Sequence, residues 1–125
     1  MLKLLIVDDS KLIHFSIKKI IEENYTDDIE IKDAYNGNEA IEITNEFNPD
    51  IVLLDIVMPE KDGIETLKEL RKAHRRLNVL MISSMGTKEK IADALRYGAR
   101  GFIQKPFDED EFIEHITKIQ SLSRR

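Results

Sequence analysis

The sequence predicts an α/β fold: a parallel sheet of five strands with helices on both faces. Short apolar runs alternate with longer amphipathic stretches five times along the chain, and strict alternation of this kind belongs to sheets wound through crossover helices. The runs Leu4–Val7, Ile51–Leu54 and Val79–Ile82 are apolar throughout, with no in-out alternation, as in strands covered on both faces. Length sets the scale. A chain of 125 residues, 42% hydrophobic and 34% charged, can bury one core without disulfides or metal staples. Residues 1–125 are therefore expected to form a single domain.

Leu4-Leu5-Ile6-Val7 reads as a buried first strand. Ser10 is placed to cap a helix whose apolar positions include Ile13, Ile17, Ile20 and Ile21. Ile29–Ala34 is a second strand, mixed in polarity and so expected at an edge. Asn36-Gly37 reads as a turn. The helix after it carries Ala40, Ile43 and Phe47 and stops at Asn48-Pro49. The third strand, Ile51–Leu54, runs straight into Asp55. Gly63 breaks the next loop, and Ile64, Leu67 and Leu70 mark a third helix. Val79–Ile82 is the fourth strand. Ile91, Ala92 and Leu95 mark the fourth helix, closed by Gly98. Phe102–Gln104 is a short fifth strand, and Phe112, Ile116 and Ile119 mark the last helix. Right-handed crossovers leave few topologies. The expected one is a doubly wound, flavodoxin-like (βα)5 sheet in the order 2-1-3-4-5.

Ligands of such sheets bind beyond the carboxyl ends of the central strands. Asp8-Asp9, Asp55, Ser83-Ser84 and Lys105-Pro106 follow four of the apolar runs and should converge there. Carboxylates packed together repel unless a cation intervenes. Oxygen donors suit a hard divalent ion such as Mg2+. Lys105 adds a fixed positive charge. Together these would neutralise a phosphoryl group arriving at a carboxylate, which is what phosphoryl transfer requires. Asp55, ending a central strand between the other aspartates and the lysine, is the expected acceptor. Taken singly, each residue has an ordinary role: a helix cap, a turn serine, a solvated lysine. The set points to chemistry because all four loops lie at one end of the sheet.

Other features point to plainer roles. The net charge of -5 is spread over interspersed acidic and basic residues, without the clustered basic face of a nucleic-acid binder. Arg71, Lys72, Arg75 and Arg76 read as a solvated helix face, and Arg124-Arg125 as a solvated end. No apolar run approaches the ~20 residues that span a bilayer, and Leu4–Val7 is too short for a signal peptide. The absence of cysteine fits a cytoplasmic protein. His14, His74 and His115 lack metal-ligand spacing and read as surface histidines, while Met81 and Met85 read as core.

Asp8-Asp9-Ser10, Leu53-Leu54-Asp55-Ile56-Val57-Met58-Pro59, Asp62-Gly63, Ser83, Gly98-Ala99 and Lys105-Pro106-Phe107 together resemble the receiver domain of two-component response regulators. The resemblance covers essentially the whole chain. Ser83-Ser84-Met85-Gly86 and Gly101-Phe102-Ile103 are similar to the single-domain, CheY-like chemotaxis regulators. The resemblance implies that Asp55 receives a phosphoryl group from a histidine kinase. It implies that Asp9, Asp55 and the Val57 carbonyl ligate Mg2+ directly and that Asp8 acts through a bound water. Lys105 would contact the phosphoryl oxygens, Ser83 would be the switch hydroxyl and Phe102 the switch aromatic. A cis peptide before Pro106 would orient Lys105.

The resemblance further implies a readout surface on the fourth helix, fifth strand and fifth helix, lined by Ile91, Leu95, Phe102 and His115 with Ile113 nearby. That surface would bind a downstream protein, in chemotaxis the flagellar motor switch. The alternative is a phosphorelay intermediate, or a receiver cut from a larger regulator, since no output domain follows the last helix. Such a protein is expected to be a monomer and a signalling domain, with enzymatic activity limited to self-phosphorylation from small donors and self-dephosphorylation. Val57 and Met85 are apolar where polar groups often flank the phosphoryl site. Self-dephosphorylation is therefore expected to be slow, with a phosphatase ending the signal. Haloacid-dehalogenase-like phosphatases would show Asp-x-Asp after the first strand instead of Asp8-Asp9-Ser10. A flavodoxin would show Ser, Thr and Gly there to cradle a phosphate. A degenerate receiver that only mediates contacts would lack some of the five functional positions, and here all are filled.

Overall fold

The computed structural model describes residues 2–25 and 28–123. Five strands and five helices alternate without exception: β1 (Leu2–Val7), α1 (Lys11–Asn24), β2 (Ile29–Ala34), α2 (Gly37–Phe47), β3 (Ile51–Asp55), α3 (Gly63–Ala73), β4 (Asn78–Ser83), α4 (Lys88–Arg96), β5 (Gly101–Gln104) and α5 (Glu109–Ser123). The sheet order is β2-β1-β3-β4-β5 and every pairing is parallel. This is the flavodoxin-like fold anticipated above. The mixed-polarity β2 lies at one edge, as its composition requires, and β5 at the other.

Successive strand residues point to opposite faces, and two cores result. On one face Leu5, Val7, Val52, Leu54, Val79 and Met81 pack with Leu67 of α3 and Ala94 of α4. On the other, Leu4, Ile6, Ile51, Leu53, Leu80 and Ile82 pack with Ile17 of α1 and with Phe112 and Ile116 of α5. Each fully buried side chain of this size contributes roughly 1.5–3 kcal/mol of transfer free energy. The central strands are thereby the most rigidly held part of the molecule, and their ends are fixed points on which a site can be built.

The helices begin on side-chain caps. Ser10 accepts from the Ile13 N–H, Asn36 from Glu39, Asp62 from Glu65 and Thr87 from Lys90. Each cap satisfies a donor left unpaired in the first turn. Gly98 closes α4 with φ of 83°, a conformation that favours glycine.

Three details of the fold differ from the sequence reading. Asn36-Gly37 is no free turn, because Asn36 caps α2 and Gly37 is its first residue. Arg71 is not part of a solvated face. Its guanidinium donates to the carbonyls of Tyr97, His74, Arg75, Leu77 and Gly98, pinning two loops together. Burial, together with the nearby Arg100 charge, lowers its pKa from the ordinary arginine value. Met85 is not core, since the β4–α4 loop leaves it 54% exposed, whereas Met81 is buried as expected. On α4 Ala94 is the buried residue, while Ala92 and Leu95 face outward, Leu95 as expected of a readout surface. A short helix beside an edge strand has few neighbours to cover a second apolar stripe.

Candidate functional site

The carboxyl ends of the strands deliver their side chains to one crevice. Asp8 follows β1, Asp55 ends β3, Ser83 ends β4 and Lys105 follows β5. Asp8, Asp55 and Ser83 are buried, while Asp9 is exposed at the rim. One oxygen from each of Asp8, Asp9 and Asp55 lies within 4.8 Å of the others. The Lys105 ammonium donates to Asp8 Oδ2 at 2.7 Å and stands 3.5 Å from Asp55 Oδ2. Asp8 Oδ1 in turn accepts from the Ser10 N–H at 2.9 Å, tying the turn after β1 to the site. The peptide between Lys105 and Pro106 is cis.

Backbone packing holds Asp55 in place. The Gly63 N–H donates to the Ile56 carbonyl at 2.7 Å. A Cβ on Gly63 would fall 2.1 Å from the Asp55 carbonyl oxygen. Only glycine lets the start of α3 approach the end of β3 this closely.

Three carboxylates face one ammonium here, and the imbalance appears in Asp55. Burial and the neighbouring Asp8 carboxylate raise its pKa above the usual carboxylate value. The Lys105 charge, the Val57 backbone N–H and the Ser83 hydroxyl oppose that shift without cancelling it. Such a site is short of positive charge. Its donors are all oxygen, the set that a hard divalent cation prefers, so the residues fit a metal of that kind.

Ser83 Oγ accepts from the Met85 N–H at 3.1 Å, so the serine also shapes the β4–α4 loop. Phe102 is half-buried, and its ring packs on Gly86 of the same loop, where a Cβ would lie 2.4 Å from the ring. Val57 is 46% exposed beside the crevice. Asp8, Asp9, Asp55, Val57, Ser83 and Lys105, the residues expected at the phosphoryl site, thus lie at this pole, with Phe102 one layer further out.

The reading of His14 as a surface histidine is overturned. It is 2% exposed. Its Nδ1 bonds Asp33 Oδ1 at 2.6 Å and its Nε2 bonds the Asp8 carbonyl at 2.8 Å. Lys18 Nζ reaches the other Asp33 oxygen at 2.5 Å. Both histidine partners are acceptors, so serving both requires a proton on each ring nitrogen. Burial pushes the Asp33 pKa up, but the hydrogen bonds and charges of Lys18 and His14 outweigh it and hold the pKa below the ordinary value. His14 and Lys18 stand four apart on α1, hence on one face, and that spacing was the available signal. His74 and His115 are half-buried; His74 Nε2 bonds Asn45 Oδ1 at 2.8 Å.

Among family models, that of the response regulator receiver domain matches residues 4–117. The chain belongs to this family. Relatives of this receiver include the chemotaxis protein CheY of Listeria monocytogenes, 43% identical over 94% of this chain and 98% of the relative. The CheY of Bacillus subtilis is 40% identical over 93% of this chain and 95% of the relative. Among solved structures, a CheY-like receiver domain protein from Methanospirillum hungatei superposes with a TM-score of 0.90 at 26% identity, covering 99% of this chain and 97% of the other. The CheY in a CheX-CheY-BeF3-Mg2+ complex from Borrelia burgdorferi superposes with a TM-score of 0.85 at 34% identity, covering 94% and 88%. This receiver is of the CheY chemotaxis type. Among its described residues no helix is long and apolar enough to cross a membrane.

Proposed function

We propose that the chain, as one cytoplasmic receiver domain over residues 1–125, accepts a phosphoryl group on Asp55 from the phosphohistidine of a histidine kinase. One observation carries this reading. Asp55 is a buried carboxylate whose negative charge is under-compensated, and it lies 3.5 Å from a lysine ammonium. In the transfer an Asp55 carboxylate oxygen forms the new O–P bond as the P–N bond breaks. The electron pair of that bond returns to the kinase imidazole, and an acyl phosphate remains.

The cation that fits is Mg2+. Asp9, Asp55 and the Val57 carbonyl would hold it directly, and Asp8 through a water. When bound it supplies positive charge for the phosphoryl oxygens. Lys105, already anchored by Asp8, is positioned to neutralise a further oxygen. Ser83 uses an acceptor lone pair on the Met85 N–H, which leaves its own proton to donate to the phosphoryl group.

A Ser83 drawn toward phosphate would carry the β4–α4 loop with it and free the Phe102 ring now resting on Gly86. The ring would turn inward and re-form the surface of α4, β5 and α5 around Ile91, Leu95 and His115. Leu95, 55% exposed, offers an apolar contact there. A downstream protein would read that surface. The names of the CheY relatives point to chemotaxis, with the flagellar motor switch as the downstream protein. The alternative of a receiver within a larger regulator has support as well. The chain is 39% identical to a protein-glutamate methylesterase/protein-glutamine glutaminase from Trichodesmium erythraeum over 34% of that relative's length, so a similar receiver also occurs inside a longer protein.

Acetyl phosphate with Mg2+ should add one phosphoryl group by intact-mass spectrometry, and Asp55→Asn should abolish it; full labelling of that variant would overturn the assignment. Val57 and Met85 are apolar and cannot hold an attacking water by hydrogen bonding. Slow self-dephosphorylation follows, with a phosphatase needed to end the signal. The double variant Val57→Asn, Met85→Glu should release phosphate several-fold faster, below the ~100-fold reached when a reacting group is badly placed. Unchanged release would remove the basis for the slow rate.

A further inference from the structure

A second crevice, of about 680 Å³, lies at the opposite end of the sheet. Its lining includes Thr44, His74, Arg75, Arg76, Asn78 and Arg100. Asn78 opens β4 and Ser83 closes it. At roughly 3.3 Å per residue the two poles are on the order of 16 Å apart. We propose that this crevice binds an oligophosphate anion of nucleotide size.

Charge is the first ground. Among the described residues none of Arg75, Arg76 and Arg100 has a carboxylate partner. One carboxylate, Asp50, shares the lining, and its Oδ2 accepts from the Lys3 N–H at 2.8 Å. Three guanidiniums against one carboxylate leave a positive pole on a chain whose net charge is -5. Guanidinium forks match phosphate oxygens in pairs, and three of them exceed what a single phosphate group needs. The volume lies within the range of small-molecule sites, ~300–1,000 Å³.

Rigidity is the second. Arg71 Nη1 donates to the carbonyls of His74, Arg75 and Leu77 at 3.3, 3.0 and 2.8 Å, and its Nε and Nη2 reach Tyr97 and Gly98 at 2.9 and 3.0 Å. One guanidinium thus fixes both backbone segments that carry the cations, and such preorganisation lowers the ordering cost of binding. Arg100 Nε bonds Asn78 Oδ1 at 3.2 Å, which orients its fork.

Calorimetric titration of the full chain, in EDTA and about 0.15 M salt to exclude the acidic pole and weak screening-sensitive contacts, tests the proposal with tripolyphosphate, ATP and a glutamate hexapeptide. One-to-one binding of tripolyphosphate and ATP is expected, unchanged in Asp55→Asn. Tighter ATP binding would identify a nucleotide ligand, and equal binding a bare phosphate chain; either supports the site. Arg100→Gln and the pair Arg75→Gln, Arg76→Gln should each weaken binding about tenfold or more, the scale of one lost charged hydrogen bond. These side chains are exposed, so the variants should fold. No binding at millimolar phosphate ligand, unchanged binding in the arginine variants, or equal binding of the glutamate peptide would each overturn the proposal.

Discussion

Two clusters of charged side chains meet at Asp8, and they are built on opposite principles. Behind its carbonyl, His14, Asp33 and Lys18 form a satisfied set: every charge has a partner, and Asp33 is held below its ordinary pKa. In front of its carboxylate, Asp8, Asp9 and Asp55 share one lysine, and Asp55 is raised above its ordinary value. The two clusters lie on either side of one peptide. The satisfied cluster has nothing left to bind, so its role is to hold the β1–α1 turn. The unsatisfied one carries a standing deficit of positive charge, which a cation can meet. Burial alone does not separate structural from functional charges here; the balance of partners does.

Removing His14 should have the largest effect of the changes that test this contrast. His14→Ala takes a buried donor from two acceptors and leaves a cavity, and should destabilise the chain by about 3 kcal/mol in urea unfolding. A loss below ~0.5 kcal/mol would show that the rear cluster does not support the turn. In the front cluster, Asp9→Ala should weaken Mg2+ affinity on the order of tenfold by loss of a direct anionic ligand, with little change in stability because Asp9 is exposed. Unaltered Mg2+ titration by NMR would remove Asp9 from the metal site. Asp55→Asn should instead stabilise the metal-free chain, on the order of 1 kcal/mol, as expected when strain at a functional site is relieved. A destabilised variant would contradict the deficit.

The smallest effect is the difference in sign with pH. Asp33 is depressed in the folded chain, so its contribution is fully present above the unfolded carboxylate pKa, ~3.9, and is lost as pH falls through the folded value. Asp55 is raised, so its cost is absent below that pH and grows as pH rises through its folded value. Unfolding curves should therefore show Asp33→Asn losing its penalty in acid, while Asp55→Asn gains its advantage toward neutral pH. Parallel profiles for the two variants would show that the clusters do not differ.

Alternating apolar runs and amphipathic stretches determined the sheet, its order and the placement of Asp8, Asp55, Ser83 and Lys105, because a strand's end is fixed by the strand itself. The acidic crevice was legible for that reason: four strand ends had to meet. Local periodicity could not reach partners that meet only across crossovers. His14 finds Asp33 nineteen positions away, and Arg71 finds Tyr97 twenty-six positions away. One looked like a surface histidine and the other like part of a solvated basic face. Met85 has the composition of a core residue, but the β4–α4 loop carries it outward. The basic crevice of Arg75, Arg76 and Arg100 exists only because α3 and α4 end side by side, pinned by Arg71. Sequence spacing sets which face a side chain takes on its own element; which charges share a space is decided when the elements pack, because electrostatic partners are chosen by distance in three dimensions.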